Sequence, residues 1–283
     1  MTAFPLPGSA PAVVAAEAPG SGVGYWAGGA AAVLGHDGEV VVGYRVRHGA
    51  RGRSENVIAR ACPDGTLDRV LVLTQERWNA LAMEKPALVA RADGGWTLFV
   101  CLADPHSKNW WIERLDASTL EGLAEAESTP TLARDAETAV KDPIVEVRDG
   151  LWTAWVCCHR LEDPGEEDRM FTALATSDDG WAWTWHPPVL EPRPGEWDAR
   201  GVRITGVLPG GRAAYDGRRT AEEDWRERIG LAAWDGRRFV PEPGPVTDAR
   251  YLTALVLPDG SIRTWYERRR GDGTHDLVTE LVR

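Results

Sequence analysis

Charged groups stand directly before apolar strands at a repeating distance along this chain. The segments EKP (84–86) and KDP (141–143) coincide when their prolines, 57 residues apart, are aligned. A further carboxylate, Asp198, opens a similar segment 56 residues after Asp142. Carboxylates can carry acid–base chemistry, and lysine or arginine beside them can bind charged groups. Because the pattern repeats, it requires a structural explanation before a chemical one.

The elements around these residues follow a hairpin pattern. Apolar runs of four to eight residues, rich in Val, Trp, Leu and Thr, are broken by Asp-Gly or Gly-Gly pairs. This pattern is typical of short antiparallel strands joined by tight turns, and helical periodicity is almost absent. The turn signals recur every 50 to 60 residues, at 36–38, 92–95, 148–150, 209–211 and 258–260.

We therefore divide the chain into five units of four strands. Their approximate bounds are 26–78, 84–135, 141–192, 198–246 and 249 to the end. The fifth unit has only three strands, so we expect residues 11–17, PAVVAAE, to supply its fourth and close the ring. This predicts an all-β fold, a five-bladed β-propeller, with residues 1–283 as one domain. A large β-sandwich is the alternative, but the near-equal spacing favours the propeller.

Composition limits the class of protein. The chain has 283 residues, of which 43% are hydrophobic, and its net charge of −11 argues against nucleic acid or an anionic membrane as a partner. No transmembrane run or signal peptide is apparent. The four cysteines lack metal-ligand spacing, and we interpret them as reduced core residues of a cytoplasmic protein. We expect neither a metal nor another cofactor.

Propeller geometry predicts where a site should form. Each inner strand starts on one face, and the connection from the second strand to the third returns to that face, so charged residues there should surround one axial cavity. Asp142, Glu84 and Asp198 are the candidate catalytic carboxylates. The candidate substrate-binding residues are Arg45, Arg47, Lys85, His106, Trp110, Lys141, His159, Arg200, Arg203, Asp216 and Arg250.

Some of these candidates have specific expected partners. Arg200 follows Asp198 at the second position, on the same face of a strand, where it could form an ion pair. Arg45 and Arg47 also share a face and could clamp an anionic group of a substrate. The alternative for each residue is an ordinary solvated or structural role.

Three segments resemble the five-bladed propeller glycoside hydrolases of families 43, 32, 62, 68 and 130. These segments are Asp142-Pro143 before its strand, the Glu84-Lys85-Pro86 counterpart and SDDGWAWTW (177–185). The chain also resembles actinobacterial proteins grouped with glycosyl hydrolases. The resemblance implies that Asp142 orients and tunes the other carboxylates, that Asp198 stands where the acid is expected and that Glu84 is the remaining inner carboxylate.

The chain departs from this family pattern in three respects. When the prolines are aligned, Lys85, not Glu84, takes the place of Asp142. The segment GYWAGGAAAVLG (24–35) has no carboxylate where the family has a blade-one aspartate. The expected acid is an aspartate, Asp198, whereas the family usually has a glutamate.

Two functional hypotheses follow. The leading hypothesis is an enzyme, a glycosidase-like hydrolase acting on a small glycoside or sugar-containing metabolite, which could be anionic. The alternative is a lyase or cyclase of natural-product metabolism, or a catalytically inactive sugar-binding propeller.

Overall fold

The computed structural model describes residues 4–50, 52–107, 109–162 and 168–283. A short N-terminal strand, β1, covers Val13–Ala16. Blade 1 contains β2 (Tyr25–Leu34), β3 (Val40–His48), β4 (Ser54–Ala61) and β5 (Leu67–Thr74). Blade 2 contains β6 (Ala82–Met83), β7 (Ala87–Ala90), β8 (Trp96–Ala103), β9 (Trp110–Ala117) and β10 (Ser128–Thr131).

The remaining blades follow the same order. Blade 3 contains β11 (Thr138–Arg148), β12 (Leu151–Arg160), β13 (Met170–Ser177) and β14 (Thr184–Leu190). Blade 4 contains β15 (Gly201–Leu208), β16 (Arg212–Arg218), β17 (Arg228–Trp234) and β18 (Phe239–Pro241). Blade 5 contains β19 (Arg250–Val256), β20 (Ile262–Arg269) and β21 (His275–Val282). Short 3₁₀ helices cover Gln75–Trp78, Glu121–Ala124 and Ala221–Glu223.

The N-terminal strand completes blade 5, as the sequence predicts. β1 pairs antiparallel with β21, so the last blade also has four strands. Next to β1, on the same edge of β21, Trp26 of β2 and His275 of β21 form a parallel bridge, which joins blade 5 to blade 1. The predicted five-bladed propeller, with its last blade closed by the N-terminal strand, is confirmed.

The core lies between the blades and forms five clusters. Val41 and Leu98 belong to the cluster between blades 1 and 2, and Phe99 packs with Trp152 between blades 2 and 3. Separate clusters join blades 3 and 4, blades 4 and 5, and blades 5 and 1. Each sheet is therefore covered on both faces by its neighbours, which explains why strands such as β3, β4 and β8 are buried at consecutive positions.

The inner strands share an irregularity at the height where the charged residues lie. The register of the innermost strand shifts next to Gly28 in blade 1, Asp142 in blade 3 and Arg250 in blade 5. Asp142 and Tyr251 have positive φ angles of 50° and 51°. Such bulges redirect side chains, here towards the propeller axis.

Candidate functional site

A cavity of about 780 Å³ opens on the face where the inner strands begin. We call it the main cavity. Its volume lies in the range of small-molecule sites. Its polar and aromatic lining comes from four blades and comprises Arg47, Glu84, Trp110, Lys141, Asp168, Arg218, Asp224 and Trp225. The cavity therefore opens on the face where the sequence predicts a site, although parts of the connections (51, 108 and 163–167) lie outside the described residues.

Glu84 lies in the cavity wall on a rigid backbone. Its N–H donates to the Cys101 carbonyl at 3.1 Å, and its own carbonyl accepts from Asn56 at 2.9 Å. The next N–H, that of Lys85, donates to Asp142 Oδ1 at 3.1 Å. The Glu84 side chain forms an ion pair with Arg45 and is largely buried. These contacts hold one carboxylate in a defined position at the cavity surface.

Arg45 is committed to partners within the protein. Besides Glu84, it donates to Glu267 Oε1 at 2.9 Å, and its guanidinium lies 4.8 Å from the ring centroid of Trp26. It is 1% exposed. Arg45 therefore holds Glu84 and Glu267, and it does not form the anion clamp with Arg47 that the sequence suggested.

Asp142 lies beneath the cavity and is buried. Its Oδ2 accepts from Arg203 at 3.2 Å and from the Tyr251 hydroxyl at 3.1 Å. Burial alone would raise the pKa of Asp142, but Arg203 and other nearby cations lower it below its usual value. This aspartate is thus an ionised group that fixes the backbone next to Glu84.

Ten buried charges from all five blades surround the axis, and we call them the central charge network. The cations are Arg45, Lys85, Arg203, Arg218 and Arg250, and the carboxylates are Glu84, Asp142, Asp216, Glu227 and Glu267. Arg203 donates to Asp216 Oδ2 at 3.0 Å, and Glu227 lies 3.0 Å from Arg218 and 3.1 Å from Arg250. Five positive charges face five negative ones, as burial of so many ions requires.

Lys85 is the member of this network that is held least by opposite charge. Its Nζ donates to the Pro143 carbonyl at 3.1 Å. Burial lowers the pKa of Lys85 to about 8, although Asp142 opposes the shift. At neutral pH the side chain is mostly protonated and contributes a positive charge beside Asp142.

Asp198 does not line the main cavity. It is completely buried, with both oxygens accepting from Arg193 Nε at 2.9 and 3.0 Å and one also accepting from Tyr215 at 2.9 Å. Arg200 is bound to Asp168, at 2.7 and 2.9 Å, and is not the partner of Asp198. Asp198 thus belongs to a cluster with Arg193 and Tyr215, and within the described residues it shares no hydrogen-bond or ion-pair partner with Glu84 or Asp142.

Two cations of the main cavity have no carboxylate partner among the described residues. Arg47 donates to the carbonyls of Gly49 and Ala50, and Lys141 lies 5.0 Å from the ring centroid of Trp110. Burial, aided by Arg45, lowers the pKa of Arg47 to about 10, so it stays protonated at neutral pH. These side chains are available to an anionic group in the cavity.

The two predicted histidines do not line the main cavity. His106 is exposed in the β8–β9 loop. His159 is completely buried, and neither ring nitrogen has a hydrogen-bond partner among the described residues. Burial lowers its pKa to about 3, with a smaller effect of Lys141, so the ring is neutral.

The structure adds residues that the sequence reasoning missed. Asp168, Asp224 and Trp225 lie in connections of the predicted kind, but no local pattern singled them out. Glu267 explains Gly28 of blade 1, because a Cβ at this position would overlap the Glu267 carboxylate. A carboxylate from β20 therefore occupies the space beside the inner strand that lacks one of its own.

No group of three or more His, Cys, Asp or Glu within the described ranges is placed so that it could hold a metal ion. In the same ranges, no helix has the length and apolar character needed to cross a membrane.

Several solved structures of similar fold are enzymes that are named for a sugar or are in complex with one. The GH43_1 enzyme from Xanthomonas citri, complexed with xylose, superposes with a TM-score of 0.68 at 15% identity, covering 96% of this chain and 90% of that one. The β-1,2-mannobiose phosphorylase from Listeria innocua gives 0.64 at 14% identity, with coverages of 93% and 90%. An α-L-arabinofuranosidase from Lactobacillus brevis gives 0.63 at 14% identity and 90% of both chains.

These similarities confirm the expected resemblance to propeller glycoside hydrolases at the level of the fold. No family model and no curated protein matches the chain. The expected closeness to actinobacterial proteins stays a prediction.

Proposed function

We propose that this protein is a glycosidase-like enzyme that cleaves a small glycoside or another sugar-containing metabolite in the main cavity. The observation that carries the proposal is the position of Glu84, an inner carboxylate that is fixed through its backbone and also reaches the cavity. The sugars and glycosidic activities named for the three similar structures support the same class of substrate.

Glycoside cleavage requires a pair of carboxyl groups, one on each side of the glycosidic bond. Glu84 is the carboxylate that attacks the anomeric carbon or activates the attacking nucleophile, and Asp142 positions it through the Lys85 N–H. For the second group we assign Asp224, which lies in the same cavity beside Arg218. Asp168 also lines the cavity, but although burial alone would raise its pKa, two arginines, Arg200 and Arg218, lie at its carboxylate and lower it. Asp224, by contrast, has an ion pair with Arg218 alone among the described residues.

The substrate carries an anionic group in this proposal. Arg47 and Lys141 face the cavity without carboxylate partners among the described residues, whereas the arginines beneath it are neutralised. A carboxylate or phosphate on the sugar would pair with them. Trp110, beside Lys141, offers an aromatic surface to the sugar ring.

A release assay over aryl glycosides, including anionic sugars, tests the proposal. We expect Glu84→Gln to reduce turnover by roughly 10²-fold or more, because it removes the reacting carboxylate. Asp198→Asn is the matched control, since its carboxylate belongs to a separate cluster, and it should keep turnover per folded molecule. Loss of turnover in Asp198→Asn but not in Glu84→Gln would contradict the assignment.

The role of Asp224 is tested in the same assay by varying the leaving group. A proton donor matters least when the leaving group is already acidic. Asp224→Asn should therefore retain cleavage of nitrophenyl glycosides and lose cleavage of alkyl glycosides. An equal loss on both substrates would remove Asp224 from this role.

A sugar-binding propeller without chemistry is the second candidate. The observation that favours it is the pairing of both Glu84 and Asp142 with arginine. A binding protein would show sugar affinity, no turnover across the panel and unchanged affinity in Asp142→Asn, whereas the enzyme would lose turnover in that variant.

A further inference from the structure

A second cavity, of about 490 Å³, lies next to the main cavity at the seam between blades 5 and 1. We call it the side cavity. Its walls come from the start of β2, the turn between β20 and β21 and the connection between β16 and β17. Asp224 and Trp225 line both cavities, so only this short segment separates them.

Two buried side chains of the side cavity carry polar atoms without a partner in the described part of the chain. They are the indole Nε1 of Trp26, a residue 1% exposed, and both ring nitrogens of His275, which is 3% exposed. Buried donors and acceptors are almost always satisfied, since leaving one unpaired is costly. Two such residues on one cavity indicate that the cavity is built to hydrogen-bond a ligand.

The chemistry of the two residues defines the kind of ligand. Burial lowers the pKa of His275 to about 4 despite the opposing effect of Glu267, so at neutral pH its ring offers one donor and one acceptor. The Trp26 indole adds a second donor. The rings of Trp26 and Trp225 meet edge to face with centroids 5.2 Å apart. The charged residues of the side cavity are all exposed, at its rim: Glu222, Asp224, Arg226, Arg269, Arg270 and Asp272. The neutral donors and acceptors in its buried part, beside aromatic rings, suit the hydroxyl groups and C–H surfaces of a sugar.

Trp225 is held in an unusual conformation at the boundary. Its φ angle is 63°, which is rare for an aromatic residue, and its carbonyl accepts from Arg250 of the central charge network at 3.0 Å. The Arg47 guanidinium lies 5.0 Å from the Trp26 ring centroid and 5.4 Å from that of Trp225. Residues that contact the main cavity thus also position the wall of the side cavity.

We propose that the side cavity is a second sugar-binding subsite in which Trp26 and His275 hydrogen-bond one sugar unit. The substrate is then at least a disaccharide, with Trp225 between the units that occupy the two cavities. This inference rests on the proposed function, because it requires that the substrate cleaved in the main cavity also extends into the side cavity.

The test is a titration of the full chain, labelled with ¹⁵N at tryptophan, by nuclear magnetic resonance. The probes are glucose and cellobiose, xylose and xylobiose, mannose and mannobiose, and, because the proposed substrate is anionic, glucuronic acid and a disaccharide that contains it. Trp26→Phe assigns the Trp26 indole signal. We expect at least one disaccharide to shift this signal and to bind more tightly than its monosaccharide. If no probe shifts the Trp26 signal, the proposal is overturned.

His275→Phe separates hydrogen bonding from packing, because phenylalanine keeps a ring beside Trp26 but has no nitrogen. We expect roughly a tenfold loss of disaccharide affinity and no loss for the monosaccharide. His36→Phe, in the turn between β2 and β3, is the control and should change neither. Unchanged disaccharide affinity in His275→Phe contradicts the proposal. Should that variant not fold, Trp26→Phe provides the same comparison by calorimetry.

The release assay keeps the two proposals distinguishable. Turnover without any shift of the Trp26 signal would leave the proposed function standing and remove the side cavity from substrate binding. A disaccharide-dependent shift without turnover of any glycoside would establish the subsite and favour the sugar-binding alternative.

Discussion

Two neighbouring carboxyl groups of the central charge network have pKa values displaced in opposite directions. Burial raises the pKa of Asp216 from 3.8 to about 6, with Arg203 and Arg250 opposing the shift and Glu227 adding to it. For Glu227, burial is outweighed by Arg250, Arg203 and Arg218, and its pKa falls to about 2. The arginines of the network therefore more than offset the effect of burial on Glu227, but they offset only part of its effect on Asp216.

The raised pKa of Asp216 predicts a pH-dependent stability. The folded state keeps this proton up to about pH 6, whereas the unfolded chain loses it near pH 3.8, so its contribution is present below pH 3.8 and is lost as pH rises through 6. Between those values the free energy of unfolding should fall by up to about 3 kcal/mol on account of this group.

Asp216→Asn should remove this component. Urea unfolding at several pH values would then show the variant gaining stability relative to wild type from pH 4 to pH 6. Asp37→Asn, in an exposed turn, is the control and should show no such trend. A constant difference between Asp216→Asn and wild type would refute the argument.

At the scale of the strands, β2 shows how one element depends on another. Gly28 is required because the Glu267 carboxylate of β20 occupies the space of a side chain there. Glu267 in turn lies 2.9 Å from Arg45 and 3.5 Å from Arg250. A side chain on β2 would therefore disturb ion pairs that belong to blades 1 and 5.

We expect Gly28→Ala to lower the free energy of unfolding by about 3 kcal/mol or more, because displacing Glu267 leaves buried arginines without their partner. Gly271→Ala is the matched control, since a Cβ there meets nothing within 4 Å. Chemical denaturation of both variants provides the comparison. Equal stabilities would show that Glu267 moves aside without cost.

On the scale of the whole molecule, the N terminus closes the ring. β1 pairs with β21, Gly8 and Ala10 donate their N–H groups to Glu280 at 2.7 and 2.9 Å, and Phe4 packs between blades 4 and 5. The five clusters between blades support the prediction that residues 1–283 form one domain, which stays a prediction.

Removing the chain up to Ala16 should lower the melting temperature and promote aggregation, because it exposes the edge of β21. Glu280→Gln, which keeps the shape but loses the charge, should have a smaller effect in the same direction. Thermal unfolding with light scattering would measure both. An unchanged melting temperature after truncation would show that closure does not depend on β1.

The blades could be predicted from sequence and the pairing of charges could not. Turn residues and apolar strands are local signals, so units such as 141–192 have nearly the bounds of blade 3. Asp198 shows the opposite case, since its partner is Arg193, whereas Arg200, on the expected face, pairs with Asp168. Arg45 and Glu267 are 222 residues apart, and only the closed ring brings them together.

The equal number of positive and negative charges around the axis has a consequence for how this protein can evolve. A mutation that removes one of the ten charges leaves its partners buried and uncompensated, and several of those partners lie on another blade. Viable changes must then come in coordinated pairs of distant codons. Among descendants of this chain, substitutions at positions such as 45, 84 and 267 should therefore occur together. The residues around the axis should be substituted far more slowly than the residues at the rim of the propeller.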